Sequence, residues 1–199
     1  MAIMTTERPE FEEDESSQDD PRRHAAVVRA LHDQLDPPEG WRVEIIEGDI
    51  TVAATAFGRH ASIIRRIRMA IEPTLPPEEY GFYENLTCEE PEIDRYVPDL
   101  GVWPVEYIDS DEEWIFAAEM CTFAAEVTSP GQAKRDYAKA EGFARAGVPA
   151  FLIVDRERRV CVLLTEPDGG AYKNRHEEPF GKPVTLPLDP PVTIDTSRF

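Results

Sequence analysis

Basic residues are scarce in this 199-residue chain, where 21 Lys and Arg stand against 40 Asp and Glu for a formal net charge of −19. That shortage excludes a basic coat for nucleic acid and any attraction to an anionic membrane, so a polyanion would have to be met locally, through a metal ion or a small basic patch. Cysteine is scarce too. Cys88, Cys121 and Cys161 lack the spacing of a zinc knuckle or a redox pair, so they read as buried, reduced thiols of a cytoplasmic protein. Long apolar runs are missing: Ala150–Val154 and Val160–Leu164 reach only five residues, far short of a membrane span. The acidic first 20 residues lack the basic-then-apolar order of a signal peptide. The sequence holds no glycine-rich phosphate loop, no G-x-S-x-G elbow and no H-E-x-x-H pair.

With 41% hydrophobic residues, the chain has enough apolar surface for one domain with a proper core. Residues 1–20 carry eight acids and one arginine. That composition cannot offset chain entropy, so a disordered acidic tail is expected there, with the folded domain over 21–199. Pro21 opens a helix to about Leu35, with Ala25, Val28, Leu31 and Leu35 on its apolar face. Alternation from Trp41 to Ala54 predicts two strands hinged at Glu47-Gly48-Asp49. Arg59 to Ile71 is an amphipathic helix bearing the one basic cluster, Arg65, Arg66 and Arg68. Strands are expected at Tyr80–Leu86, Tyr96–Val102 and Thr122–Thr128. A helix follows from Ala133 to Ala146, stopped by Gly147-Val148-Pro149. A buried strand, Ala150–Val154, completes a βαβ unit. The fold class is α/β, a mixed sheet flanked by helices in a single domain.

Two carboxylates sit awkwardly in this pattern. In Phe123–Thr128, alternation places Glu126 beside alanine within an apolar strand. Asp99 stands in the middle of another, Val97–Val102, where Pro98 argues for an edge or a bulge. A buried acid needs a cation, a proton or hydrogen bonds. Either the two form structural ion pairs, or they hold a hard divalent ion near the amine of a lysine one helix later.

Several pieces occur in a telling order: Trp41-Arg42-Val43-Glu44-Ile45-Ile46-Glu47-Gly48-Asp49, Gly58-Arg59-His60, Tyr96-Val97-Pro98-Asp99, Glu126-Val127-Thr128-Ser129-Pro130, Lys139, and the run from Ala144 to Asp155. Together they resemble the restriction-endonuclease domain family, widespread in bacteria, within the PD-(D/E)XK phosphodiesterase superfamily. The likeness runs from about residue 25 to the end. It implies a restriction endonuclease-like fold with Asp99 and Glu126 as Mg²⁺ ligands, the carbonyl of Val127 as a third, and Mn²⁺ as a substitute ion. The superfamily lysine two residues after the second acid is replaced here by Thr128. The family's alternative, a lysine from the following helix, matches Lys139, which would orient or help deprotonate the attacking water. Glu44 matches a recurrent acid before the hairpin, touching the metal directly or through water. His60, opening the basic helix, and Arg65 within it are the expected phosphate contacts.

Around these, Asp136 shares a helix face with Lys139. Ser129 is expected to cap a turn and Asp155 to shape one, while Tyr137 and Phe143 are expected in the core. The implied activity is Mg²⁺-dependent phosphodiester hydrolysis of nucleic acid, most simply DNA; a two-fold homodimer is a separate expectation, since enzymes that cut both strands often pair up. The rival is a non-catalytic protein-binding module with a vestigial site, favoured by the repulsion between DNA and a chain of charge −19. A third possibility is hydrolysis of a smaller phosphodiester.

Overall fold

Helical periodicity governs the first ordered element, α1 (Pro21–His32). Ala25 and Val28 are buried as expected, but the third inward residue is His32, while Leu31 and Leu35 are about half exposed. Six residues advance a helix by about 240°, which swings Leu31 off the face that Ala25 and Val28 share. The helix also ends before Leu35. The structure, a computed structural model, describes residues 21–54, 58–84, 86–108, 115–129 and 131–199. The expected acidic tail, 1–20, lies outside the described residues.

The hairpin forms as expected, from β1 (Trp41–Ile46) and β2 (Asp49–Ala54). Glu47 and Gly48 both take positive φ, 52° and 78°, the two-residue geometry that matches strand twist. The non-glycine turn residue is held there because the N–H groups of Glu47 and Gly48 both donate to the Asp94 carboxylate, at 3.1 and 2.9 Å. The helix α2 (Arg59–Ile71) has the predicted bounds and buries Ile63, Ile64, Ile67 and Ile71. Next come β3 (Tyr80–Tyr83), β4 (Thr87–Glu89), β5 (Arg95–Tyr96), β6 (Leu100–Pro104), the short α3 (Val105–Ile108) and β7 (Ile115–Ala117). The βαβ unit follows as β8 (Phe123–Val127), α4 (Ala133–Arg145) and β9 (Ala150–Asp155). The last strands are β10 (Val160–Asp168), β11 (Ala171–Pro179), β12 (Val184–Leu186) and β13 (Val192–Ile194).

One mixed sheet was expected, and the strands instead form a five-stranded sheet (β2-β1-β5-β4-β7), a six-stranded sheet (β11-β10-β9-β8-β6-β3) and the pair β12-β13. The predicted strand Tyr96–Val102 is the reason for the split. It is broken at Val97-Pro98-Asp99, so Tyr96 ends in one sheet and Leu100 begins in the other. Pro98 offers no N–H to a ladder and thereby marks the passage between sheets rather than a sheet edge. The expectation of a mixed sheet flanked by helices otherwise holds.

The six-stranded sheet is a middle layer. On one face Phe123, Ala125, Val127 and Leu152 pack with α2 and β12–β13. On the other, Ala124, Phe151 and Ile153 pack with Phe143 of α4. Burial on both faces explains why β8 and β9 read as unbroken apolar runs. The ring centroids of Phe143 lie 5.2 Å from Tyr96 and 4.9 Å from Phe151; such burials contribute roughly 1.5–3 kcal/mol each. The packing of α4 is close enough to demand glycine at 142, because a Cβ there would run into the Tyr96 hydroxyl. Tyr96 cannot yield, being buried and bonded through its hydroxyl to Asp94 at 2.6 Å. The three cysteines are buried free thiols, with Cys121 and Cys161 pushed up by burial to about 12. Among the described residues no helix is long and apolar enough to cross a membrane.

Candidate active site

Two registers bring the acids together. The β6–β8 ladder pairs Leu100 with Ala125, so one residue back Asp99 comes level with Glu126. The pair is joined at the backbone, because the Val127 N–H donates to Asp99 Oδ2 at 2.8 Å. The single β1–β5 bridge, Ile45 with Arg95, lays β1 beside the crossover, and the Val97 N–H donates to Glu44 Oε1 at 2.9 Å. The helix α4 then lowers Lys139 onto both sheets. Its Nζ lies 2.6 Å from Glu44 Oε1 and 2.7 Å from Glu126 Oε1, and it donates to the Val97 carbonyl at 3.4 Å. Thus Glu44, Asp99, Glu126 and Lys139 meet in one cluster, each almost wholly withdrawn from solvent.

Arg42 completes it. Residues 42 and 44 share a face of β1, and the Arg42 guanidinium donates through Nη1 to Asp99 Oδ1 at 3.0 Å while its Nε lies 3.4 Å from Glu44 Oε2. His60 Nε2 lies 2.8 Å from Asp99 Oδ2, and Ser129 Oγ lies 3.4 Å from the other ring nitrogen. His60 is therefore turned onto an acid, and its ring also lines the cleft above the cluster. Ser129 faces that ring. Arg65 is exposed on α2 and does not line the cleft above the cluster.

The charges are unevenly satisfied. For Asp99, burial opposes ionisation, but His60, Arg42 and Lys139 outweigh it and hold the carboxyl below the usual carboxylate range. Glu44 is likewise kept low, the penalty of burial being exceeded by Lys139 and Arg42. For Lys139, burial is outweighed by Glu126 and Glu44, which raise its pKa. Glu126 goes the other way: burial dominates, Lys139 offsets it only in part, and Asp99 adds repulsion, so its carboxyl is pushed well above the ordinary value. Among the described residues, three buried carboxylate oxygens, Glu44 Oε2, Glu126 Oε2 and Asp136 Oδ1, accept no hydrogen bond. Unsatisfied acceptors at this depth are costly and call for an explanation.

A cleft of about 420 Å³ opens over this cluster. Arg42, His60, Val127 and Asp136 line it, with Trp41, Gln132 and Arg135 among the surrounding residues. Burial pushes Asp136 up to about 6, against the opposing charges of Lys139 and Arg135. An adjoining hollow of about 320 Å³ shares Thr51, Gln132 and Arg135 with the cleft and extends it toward Lys134.

Other expected side chains prove structural. Thr128 Oγ1 accepts the Arg156 N–H at 3.0 Å. Asp155 shapes the next turn by accepting the N–H groups of Glu157 and Arg158. Phe143 is core, and half-buried Tyr137 donates to Asp155 at 3.1 Å. The sequence pattern assigns Arg42 no role, although its place two residues before Glu44 on a strand is a signal for one.

The donor chemistry suits a small hard cation: carboxylate oxygens, some unpartnered, beside the Val97 carbonyl that Lys139 reaches. Among the described residues, however, no three His, Cys, Asp or Glu side chains converge as a ready metal site. The cations Arg42 and Lys139 stand between the acids instead.

A family model described as "Uma2: Putative restriction endonuclease" matches residues 29–196. Among solved structures, a protein of Anabaena variabilis titled "a putative nuclease belonging to DUF820" superposes with a TM-score of 0.63 at 18% identity, covering 80% of this chain and 88% of its own. At that identity the likeness concerns the fold. No curated protein matches.

Proposed function

From the premise that this chain belongs to the Uma2 family, we propose that it is a Mg²⁺-dependent phosphodiesterase acting on nucleic acid, most simply a DNA endonuclease. The observation that carries this reading is the convergence of Glu44, Asp99, Glu126 and Lys139 beneath a cleft, with carboxylate oxygens left unpartnered. Asp99, Glu126 and the Val127 carbonyl would hold Mg²⁺ or Mn²⁺. Bound there, the ion supplies charge at a phosphate oxygen and a more acidic water. Glu44 steadies Lys139 against Glu126. The Lys139 ammonium, fixed by α4, orients the attacking water and stabilises negative charge growing on the phosphate. In the cleft Arg135 and Gln132 offer donors to a phosphate, and Trp41, about half exposed, offers a face on which a base can stack. Arg65 would touch only a substrate that extends beyond the cleft. A two-fold homodimer would allow both strands to be cut.

A second reading, a non-catalytic binding module, is favoured by one specific observation: Arg42 and Lys139 already pair the acids. Incubation of DNA and RNA with the full chain and Mg²⁺ or Mn²⁺ separates the two. Cleavage by wild type, lost in Glu126→Gln, supports the enzyme. No cleavage of either polymer with either ion leaves the module.

A further inference from the structure

Arg42 stands between the acids and the cleft. Its side chain is 10% exposed and lines the cleft wall, while Glu126 and Lys139 behind it have no exposure at all. Three carboxylates, Glu44, Asp99 and Glu126, share two full cations, Lys139 and Arg42. Lys139 touches Glu44 and Glu126, so the cation in direct contact with Asp99 is Arg42, with His60 and the Val127 N–H on its other oxygen. The fork spans two acids through different nitrogens, Nη1 to Asp99 and Nε to Glu44. At 3.4 Å the second contact is loose, and Glu44 Oε2 gains no hydrogen bond from it. An arginine held this way is a counter-ion with a free path outward, since its three-methylene stem can extend along the cleft that it already lines.

We propose that Arg42 is the resident cation of the acid cluster and competes with the divalent ion for Asp99, so that metal entry requires the guanidinium to withdraw into the cleft. The inference rests on the metal-dependent reading above and adds to it a positioning residue that sets ion affinity. Without the ion, Arg42 keeps Asp99 charged and aligned; with it, the guanidinium is released on the side from which a phosphate would arrive. A guanidinium on Asp99 Oδ1 repels a divalent ion brought to the same carboxylate, which favours the exchange.

The test is calorimetric titration of Mn²⁺ into the full chain, without nucleic acid, for wild type and Arg42→Met. Met keeps the apolar stem and removes the charge. The expected result is at least tenfold tighter Mn²⁺ binding in Arg42→Met, together with a larger rise in melting temperature on adding Mn²⁺ than in wild type. Equal or weaker binding in the variant overturns the competition but leaves the metal site standing. No binding by either protein overturns the metal-dependent reading itself. A second measurement needs no variant: phenylglyoxal modification of wild-type Arg42, located by mass spectrometry. Modification that accelerates when Mn²⁺ is added supports displacement, and an unchanged rate refutes it.

Discussion

Two buried acid clusters flank α4, and they are satisfied in opposite ways. Six residues along the helix from Lys139, Arg145 meets Glu90 at 3.1 Å and Asp94 at 3.3 Å. There every acid is used up. Glu90 Oε1 accepts the N–H groups of Glu92, Ile93 and Asp94. Asp94 accepts those of Glu47 and Gly48 and the Tyr96 hydroxyl. Burial alone would raise the Glu90 carboxyl, yet these bonds and Arg145 hold it below its ordinary value. The Lys139 cluster has similar ingredients, but Glu126 is pushed up, and among the described residues nothing donates to Glu44 Oε2 or Glu126 Oε2. A saturated cluster is a clamp that joins the hairpin turn to the helix; an unsaturated one retains capacity for something else.

The contrast breaks first on catalysis. Glu126→Gln should lower nucleic-acid cleavage roughly 10³-fold while leaving stability unchanged or slightly higher, since it removes an under-compensated buried charge. A cleavage gel and a urea melt read both quantities. If the variant cuts as well as wild type, the cluster is only a clamp of poorer quality. Asp94→Ala should do the reverse, costing about 3 kcal/mol of stability through lost charged hydrogen bonds, with the cleavage rate per folded molecule kept.

Acid titration sharpens the comparison. The Asp136 carboxyl is raised from 3.8 to about 6 in the folded state, so folding takes up a proton between those values and stability falls as pH rises through them. Asp136→Asn should therefore exceed wild type by up to about 3 kcal/mol at pH 8, and the gap should close as pH falls from 6 toward 4. Asp99 does not confound this window, because its depressed pKa makes a stabilising contribution present above 3.8 and lost only below it. Urea melts across the pH range would show the trend, and a gap independent of pH would contradict it.

Gly142→Ala should disturb both clusters together. Its Cβ would press on Tyr96, which links to Asp94 and lies beneath the helix carrying Lys139. About 2 kcal/mol should be lost, with cleavage reduced beyond what unfolding explains. The smallest effect is expected at Trp41→Ala, which should weaken binding of a short single-stranded oligonucleotide by about 1 kcal/mol in a fluorescence titration, leaving stability unchanged.

Much of the Lys139 cluster was legible in the chain. Glu126 and Asp99 stand out because a carboxylate inside an apolar strand violates the pattern around it, and Lys139 follows on the next helix. Arg42 did not stand out, since an exposed arginine near a strand end looks the same on paper as a buried one. The Glu90–Asp94 clamp was illegible for a different reason. Its strands β4 and β5 span only Thr87–Glu89 and Arg95–Tyr96, too short to display a period, and most of its bonds run to backbone N–H groups that no side-chain pattern records.

Local rules settled α2, the Glu47-Gly48 hairpin and the βαβ unit, because helix period, turn geometry and strand alternation depend on near neighbours in the chain. Which acids are quenched and which are left wanting was decided by tertiary structure. That outcome depends on long-range meetings, Arg42 with Asp99, Lys139 and the Val97 N–H with Glu44, and Arg145 with Glu90, and on how far packing has shut out the water that would otherwise have served in their place.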